Sequence, residues 1–151
     1  MTVIENLTYD NVKAVSQIEK ELIETPWGEV ALKKEIENEN AFYAVVKKDG
    51  KVAGYGGIWL SIETADITNI AVSRDFQRMG IATLIVGELI KKAHEKNCYE
   101  INLEVNENNE GAILLYEKCG FLKVGRRKRY YNNKDDAILM QRRNNDENSG
   151  N

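Results

Sequence analysis

Gln77-Arg78-Met79-Gly80-Ile81-Ala82 stands between the apolar run Ile70-Ala71-Val72 and a long amphipathic segment, and it reads as a strand end, a tight turn and a helix start. A helix N-terminus presents unpaired backbone N–H groups and the positive end of the helix dipole, so the turn is a candidate cradle for an anionic phosphate group. Gly80 lets the backbone come close to such a ligand. The turn lacks both the Lys-Ser/Thr ending of a nucleoside-triphosphate loop and the three spaced glycines of a dinucleotide loop, so neither of those sites fits. Taken alone, the hexamer suits an ordinary strand-to-helix turn equally well.

A second block follows some thirty positions later: Leu103-Glu104-Val105, then Asn109-Glu110-Gly111-Ala112-Ile113-Leu114-Leu115-Tyr116, then Gly120-Phe121. In this order and at this spacing the two blocks resemble the GCN5-related N-acetyltransferase (GNAT) superfamily, with its Gln/Arg-x-x-Gly-x-Gly/Ala turn followed by Asn-x-x-Ala-x-x-x-Tyr and Gly-Phe. Pro26-Trp27, Asn69-Ile70-Ala71-Val72, and Arg129-Tyr130-Tyr131 followed by Asp136-Ala137 and Met140 make the chain most similar to the branch of bacterial ribosomal-protein-alanine acetyltransferases. The chain departs from the commoner pattern at Asn106, where Arg is frequent, at Asn108, where Ser is frequent, and at Cys119, where Leu is frequent.

The resemblance implies an α/β acyl-CoA N-acyltransferase fold, with a mixed seven-stranded sheet flanked by four helices and two central strands splayed apart. It implies acetyl-CoA as co-substrate and no metal. Main-chain groups of Ile70, Ala71 and Val72 would pair with the pantetheine arm. The turn of Gln77, Arg78, Met79, Gly80, Ile81, Ala82 and Thr83 would hold the pyrophosphate, and Asn109 would contact the cofactor. Glu104 would be the general base, directly or through water, and Tyr116 would donate a proton to the thiolate sulfur. For the acceptor it implies a protein N-terminus, the alanine amine of small-subunit ribosomal protein number eighteen. Tyr130 and Tyr131 are candidates for contacting its first residues, although one of them could equally pack in the core. Trp27 is either a shielded core aromatic or a wall of the acceptor site.

Bulk properties are compatible with this. At 151 residues, 42% hydrophobic and 30% charged, the chain suits one globular domain, read here as residues 1–141 with a polar tail over 142–151 that is expected to be mobile. No signal peptide or long apolar span is visible, so a cytoplasmic location is expected, without a membrane partner. Cys98 and Cys119 lack metal-ligand spacing and read as small buried hydrophobes. A net charge of −3 argues against a DNA or general nucleic-acid binder. A local exception is Lys123, Arg126, Arg127, Lys128 and Arg129, which reads as a charged strand edge or as a surface for RNA.

The element order predicted is β-α-α-β-β-β-α-β-α-β-β. Thr2 to Leu7 forms a strand, and Thr8 or Asp10 caps a helix with the stripe Val12, Val15, Ile18 and Leu22. Pro26 breaks the chain before a short helix from Glu29 to Asn38. Strands follow over Ala41–Lys47, Lys51–Ser61 and Ala65–Val72, the first two joined at Asp49-Gly50, a hairpin signal. Gly54, Gly56 and Gly57 mark a bulge or close packing within the second of them. Next come a helix from Gly80 to Lys96 with apolar positions Ile81, Leu84, Ile85 and Leu89, and a strand from Glu100 to Asn106. A helix from Asn109 to Lys118 and strands over Lys123–Tyr131 and Asp136–Met140 complete the pattern.

Acceptor chemistry can be weighed by the cost of making a neutral amine. At pH 7 an α-amino group of pKa ~8 costs roughly 1.4 kcal/mol to deprotonate, whereas a lysine at ~10.4 costs roughly 4.6. One carboxylate is adequate for the first. A lysine, a polyamine or another small amine stays open as acceptor, because a site can depress the amine's pKa. From another class, a non-catalytic module that binds acyl-CoA or the ribosome stays open as well.

Overall fold

The computed structural model describes residues 1–23, 25–131 and 133–144. Its elements run β1 (Thr2–Asn6), α1 (Val12–Leu22), α2 (Glu29–Ile36), β2 (Ala41–Lys48), β3 (Lys51–Leu60), β4 (Thr64–Val72), a 3-10 turn (Arg74–Phe76), α3 (Ile81–Glu95), β5 (Glu100–Asn106), α4 (Glu110–Lys118), β6 (Leu122–Tyr131) and β7 (Asp135–Arg143). The seven strands form one mixed sheet in the order β1-β2-β3-β4-β5-β7-β6, antiparallel except for the β4–β5 pair. The predicted order of elements is therefore present.

Alternation along the strands divides the core in two. On β2, Tyr43 and Val45 face a cluster with Val12, Val15 and Ile18 of α1 and Leu32 of α2, while Ala44 and Val46 face the cluster that holds Ile81, Ile85 and Leu89 of α3 and Ile113 of α4. The sheet is thus sandwiched between two helix pairs. Leu84 is the exception to the predicted α3 stripe: it is exposed, and Val86 takes its place in the core.

Local signals mostly act as read. Asp49 and Gly50 both have positive φ, 51° and 85°, as a tight two-residue hairpin turn requires. The cap of α1 differs. Neither Thr8 nor Asp10 occupies it; the N-cap is Asn11, whose Oδ1 accepts from the Thr8 amide at 2.8 Å while its Nδ2 donates to Glu5 and to the Asn6 carbonyl. Asn11 is buried, and its side chain ties β1 to the helix start. β7 also runs further than its apolar residues suggest, to Arg143, because Gln141, Arg142 and Arg143 stay in register with Asn102, Ile101 and Glu100 of β5. Asn144 is buried beyond it, its amide donating to the Tyr99 carbonyl at 2.6 Å. The first three residues assigned to the tail thus belong with the sheet; 145–151 lie outside the described residues.

The β3 glycines exist for close packing. A Cβ on Gly56 would stand 2.4 Å from Ile85 Cγ2, so helix α3 lies directly on the strand. Gly87, on the exposed side of the same helix, has open space around its missing Cβ. Gly56→Ala is expected to lose about 1–3 kcal/mol of unfolding free energy through overpacking, and Gly87→Ala to gain about 0.5–1 kcal/mol through helix propensity. Urea denaturation of the two variants checks both signs.

Candidate active site

β4 and β5 share only three rungs: Thr64 beside Glu100, Ala65 beside Ile101 and Asp66 beside Asn102. Against β3, the register advances two residues from Gly56 to Ile58 while β4 advances three, from Ile70 back to Ile67. The extra residue, at Thr68-Asn69, is a bulge that bends β4 away. Beyond Asp66, among the described residues, no strand pairs with the β5-facing edge of β4, and β5 continues against β7 alone. This is the splay the resemblance implied.

A cavity opens on either side of the splay, of about 750 Å³ and 730 Å³. Ile67, Thr68, Asn69, Leu103, Glu104 and Tyr131 line both, so the two communicate through this gap.

The first cavity is bounded by Ile70, Ala71 and Val72 of β4, by the turn before α3, and by Asn109 and Tyr116. The turn is built from two left-handed residues, Arg78 at φ 65° and Gly80 at φ 79°. Among the described residues, none of the six backbone N–H groups from Arg78 to Thr83 has an acceptor; the ladder starts with Leu84 N–H donating to the Gly80 carbonyl at 3.1 Å. Six unsatisfied donors around a concave turn at a helix start form an anion site. They fit the diphosphate of coenzyme A. The unpaired β4 edge beside them fits an amide-bearing arm.

Two residues of the turn serve it differently from the rest. Gln77 Nε2 donates to the Val72 carbonyl at 3.0 Å, tying the turn to the strand end. Met79 is exposed and lines neither cavity. Asn109 caps α4, its Oδ1 accepting from the Ala112 amide at 3.2 Å, and also lines the first cavity.

Tyr116 projects from α4 into the core, edge-on to Phe121 with ring centroids 5.9 Å apart. Burial, then the proximity of Tyr131 and Cys119, pushes its hydroxyl up to about 12. Tyr131 is pushed up to about 12 as well, by burial and by Glu104 and Tyr130 nearby. Glu104 stands across from them on β5, its Oε2 in an ion pair with Arg127 Nε at 2.7 Å. The carboxylate and the Tyr131 phenol therefore line the gap, with Tyr116 on the wall of the first cavity.

The second cavity is walled by aromatic rings. Trp27 and Trp59 lie 5.7 Å apart, and Tyr130 and Tyr131 lie 5.0 Å apart, edge to face. Glu35 of α2 fixes the first wall, accepting from Trp59 Nε1 at 2.6 Å and from the Tyr43 hydroxyl at 2.8 Å. Trp27 is half-buried, packs against the α1–α2 core and also lines this cavity. Trp59, Asp66 and Arg127 also line it. The first two carry no motif, and Arg127 looked like one cation in a charged edge; only strand register brings them together.

Cys98 is buried and Cys119 half-buried, both as free thiols. Among the described residues there is no cluster of His, Cys, Asp and Glu that could hold a metal, and no helix long and apolar enough to cross a membrane.

Residues 12–121 match the family model described as the Acetyltransferase (GNAT) family, and the chain belongs to this family. It is an acetyl-CoA N-acetyltransferase. A Bacillus subtilis (strain 168) protein, provisionally named a ribosomal protein bS18-alanine N-acetyltransferase, is 34% identical over 126 residues, which are 83% of each chain. The ribosomal protein bS18-alanine N-acetyltransferase of Escherichia coli (strain K12) is 29% identical over 121 residues, 80% of this chain and 81% of that one. The crystal structure of the ribosomal-protein-S18-alanine N-acetyltransferase from Escherichia coli superposes with a TM-score of 0.87 at 28% identity, covering 95% of this chain and 94% of the other.

A Cβ at Gly80 would meet nothing, so the cost of adding one is backbone strain in the left-handed region, about 1–2 kcal/mol. Gly80→Ala is expected to lower stability by that amount and to weaken coenzyme A binding, because relief of the strain turns amides away from the cradle. Denaturation and calorimetric titration with coenzyme A measure the two effects separately.

Proposed function

We propose that this enzyme acetylates a protein N-terminal α-amine, that of the N-terminal alanine of small-subunit ribosomal protein number eighteen. The observation that carries the proposal is the gap lined by Glu104 and Tyr131, with a nucleotide-sized cavity that Tyr116 lines on one side and an open, aromatic-walled cavity on the other. The names and overall likeness of the relatives support the acceptor.

Acetyl-CoA, when bound, supplies an acetyl group activated as a thioester. The chain's own residues do the rest. The amides of Arg78 to Thr83 hold the diphosphate, the free edge of Ile70 to Val72 orients the arm, and Asn109 shapes the wall beside it. Glu104 takes the ammonium proton of the acceptor, directly or through a water, so that the amine can act as nucleophile. Arg127 holds one carboxylate oxygen, while Oε1 has no partner among the described residues and is free to face the cavity. Tyr116, a neutral phenol on the wall of the first cavity, gives its proton to the departing sulfur. Trp27, Tyr130 and Tyr131 form the walls along which the acceptor's first residues lie.

Glu104→Gln is expected to lower kcat at pH 7 by about 10²–10³, with Tyr116→Phe lowering it by about tenfold or more. Steady-state rates on a hexapeptide carrying the ribosomal protein's N-terminus check this; turnover by the Gln variant equal to wild type removes Glu104 from its role. In a competition panel the peptide is expected to be acetylated ahead of free lysine and spermidine. A reversed order transfers the activity to side-chain or polyamine acceptors.

A further inference from the structure

The acceptor-side cavity contains a carboxylate that the chemistry above does not use. Asp66 sits at the last rung before the splay, in register with Trp59 on β3 and Asn102 on β5. On this face its carboxylate and amide neighbours on β5 are already partnered. Glu104 is held by Arg127 at 2.7 Å, Glu100 by Arg143 at 3.4 Å, and Asn102 accepts from Gln141 at 3.0 Å. Asp66 alone among them forms no hydrogen bond or ion pair with its side chain among the described residues. Partial burial and the nearby charges of Glu100 and Glu104 all disfavour its ionised form, so its carboxyl is raised from its ordinary value, and no cation among the described residues pairs with it.

We infer that Asp66 forms a subsite for a second positive charge on the acceptor, beside the amine that is acetylated. A metal ion would need several more oxygen ligands than the one carboxylate offers. An organic cation needs only what is present: a carboxylate, and the indole of Trp59 next to it, which attracts cations through its face. Resting on the reading of the acceptor as a protein N-terminus, this charge is a Lys or Arg side chain early in the acceptor sequence. Asn102 and Glu104 are one two-residue step apart on β5, roughly 7 Å, and β4 lies roughly 5 Å to the side. An extended peptide advances about 3.5 Å per residue, so an amine at Glu104 brings the second or third side chain to Asp66.

The test uses hexapeptide pairs that differ only in Arg or its neutral isostere citrulline at the second or third residue, and it reads the ratio of kcat/KM within each pair. Because both peptides meet the same enzyme preparation, any loss of folded protein cancels. Wild type is expected to prefer Arg at one of these positions by about fivefold at low salt, as a partly exposed ion pair would give. Asp66→Asn brings that ratio close to one, and Asp66→Lys inverts the charge preference, favouring Glu over Gln at the same position. An unchanged ratio in Asp66→Asn, or a wild-type ratio of one at both positions, overturns the inference. A second arm compares a diamine with a monoamine of equal length. If wild type acetylates no peptide yet prefers the diamine, and Asp66→Asn loses that preference, the subsite stands and the N-terminal reading falls; equal use of both amines together with no peptide preference removes the subsite.

Discussion

The active centre of this enzyme depends on β4 and β5 pairing for only three rungs and then parting. Had the pairing continued, the β4 edge would be consumed by β5, the two cavities would close, and Glu104 would face a filled sheet. The parting is produced by one extra residue at Thr68-Asn69 and maintained from outside, because β5 keeps β7 as a full-length partner and β4 keeps β3. Backbone hydrogen-bonding groups left open inside a protein are costly. In the proposed reading that cost is met when a ligand takes them, so the least satisfied part of the main chain would also be the binding surface.

The same logic governs the turn before α3. A helix start always leaves donors over, and many helices spend them on a side-chain cap. α4 does so through Asn109; α3 has no side-chain cap. Its turn, with two left-handed residues, instead leaves six amides without an acceptor among the described residues, and Gly54 and Gly56 let α3 sit tightly against β3. The glycines of β3 and of the turn are separate in sequence and work on one object, the position of a helix end.

Legibility in the sequence followed the range of the interactions. Element order and most boundaries were readable, because period, turn residues and glycines act locally; β5 was placed to the residue. Glu104, Tyr116 and the Gly80 turn were readable because their spacing is shared with a family. The Asn11 cap was missed because a buried Asn bonded back to Glu5 and Asn6 looks, in sequence, like any polar residue near a helix start. Arg142 and Arg143 looked like tail because their place in the sheet comes from pairing with β5, some forty residues away. Trp59, Asp66 and the Glu104–Arg127 pair were invisible for the same reason: they meet through the registers of five strands, and no local pattern encodes which strand lies beside which.

The central claim is that bare amides at the mouth of α3 take the anionic part of the nucleotide. Amide hydrogen exchange, followed residue by residue with and without acetyl-CoA, tests it most directly. Arg78 to Thr83 should exchange fast in the free enzyme, having no internal acceptors, and become strongly protected when acetyl-CoA is added, together with Ile70 to Val72. Saturating acetyl-CoA that leaves those amides exchanging at their free rates, while protection rises elsewhere or nowhere, contradicts the account.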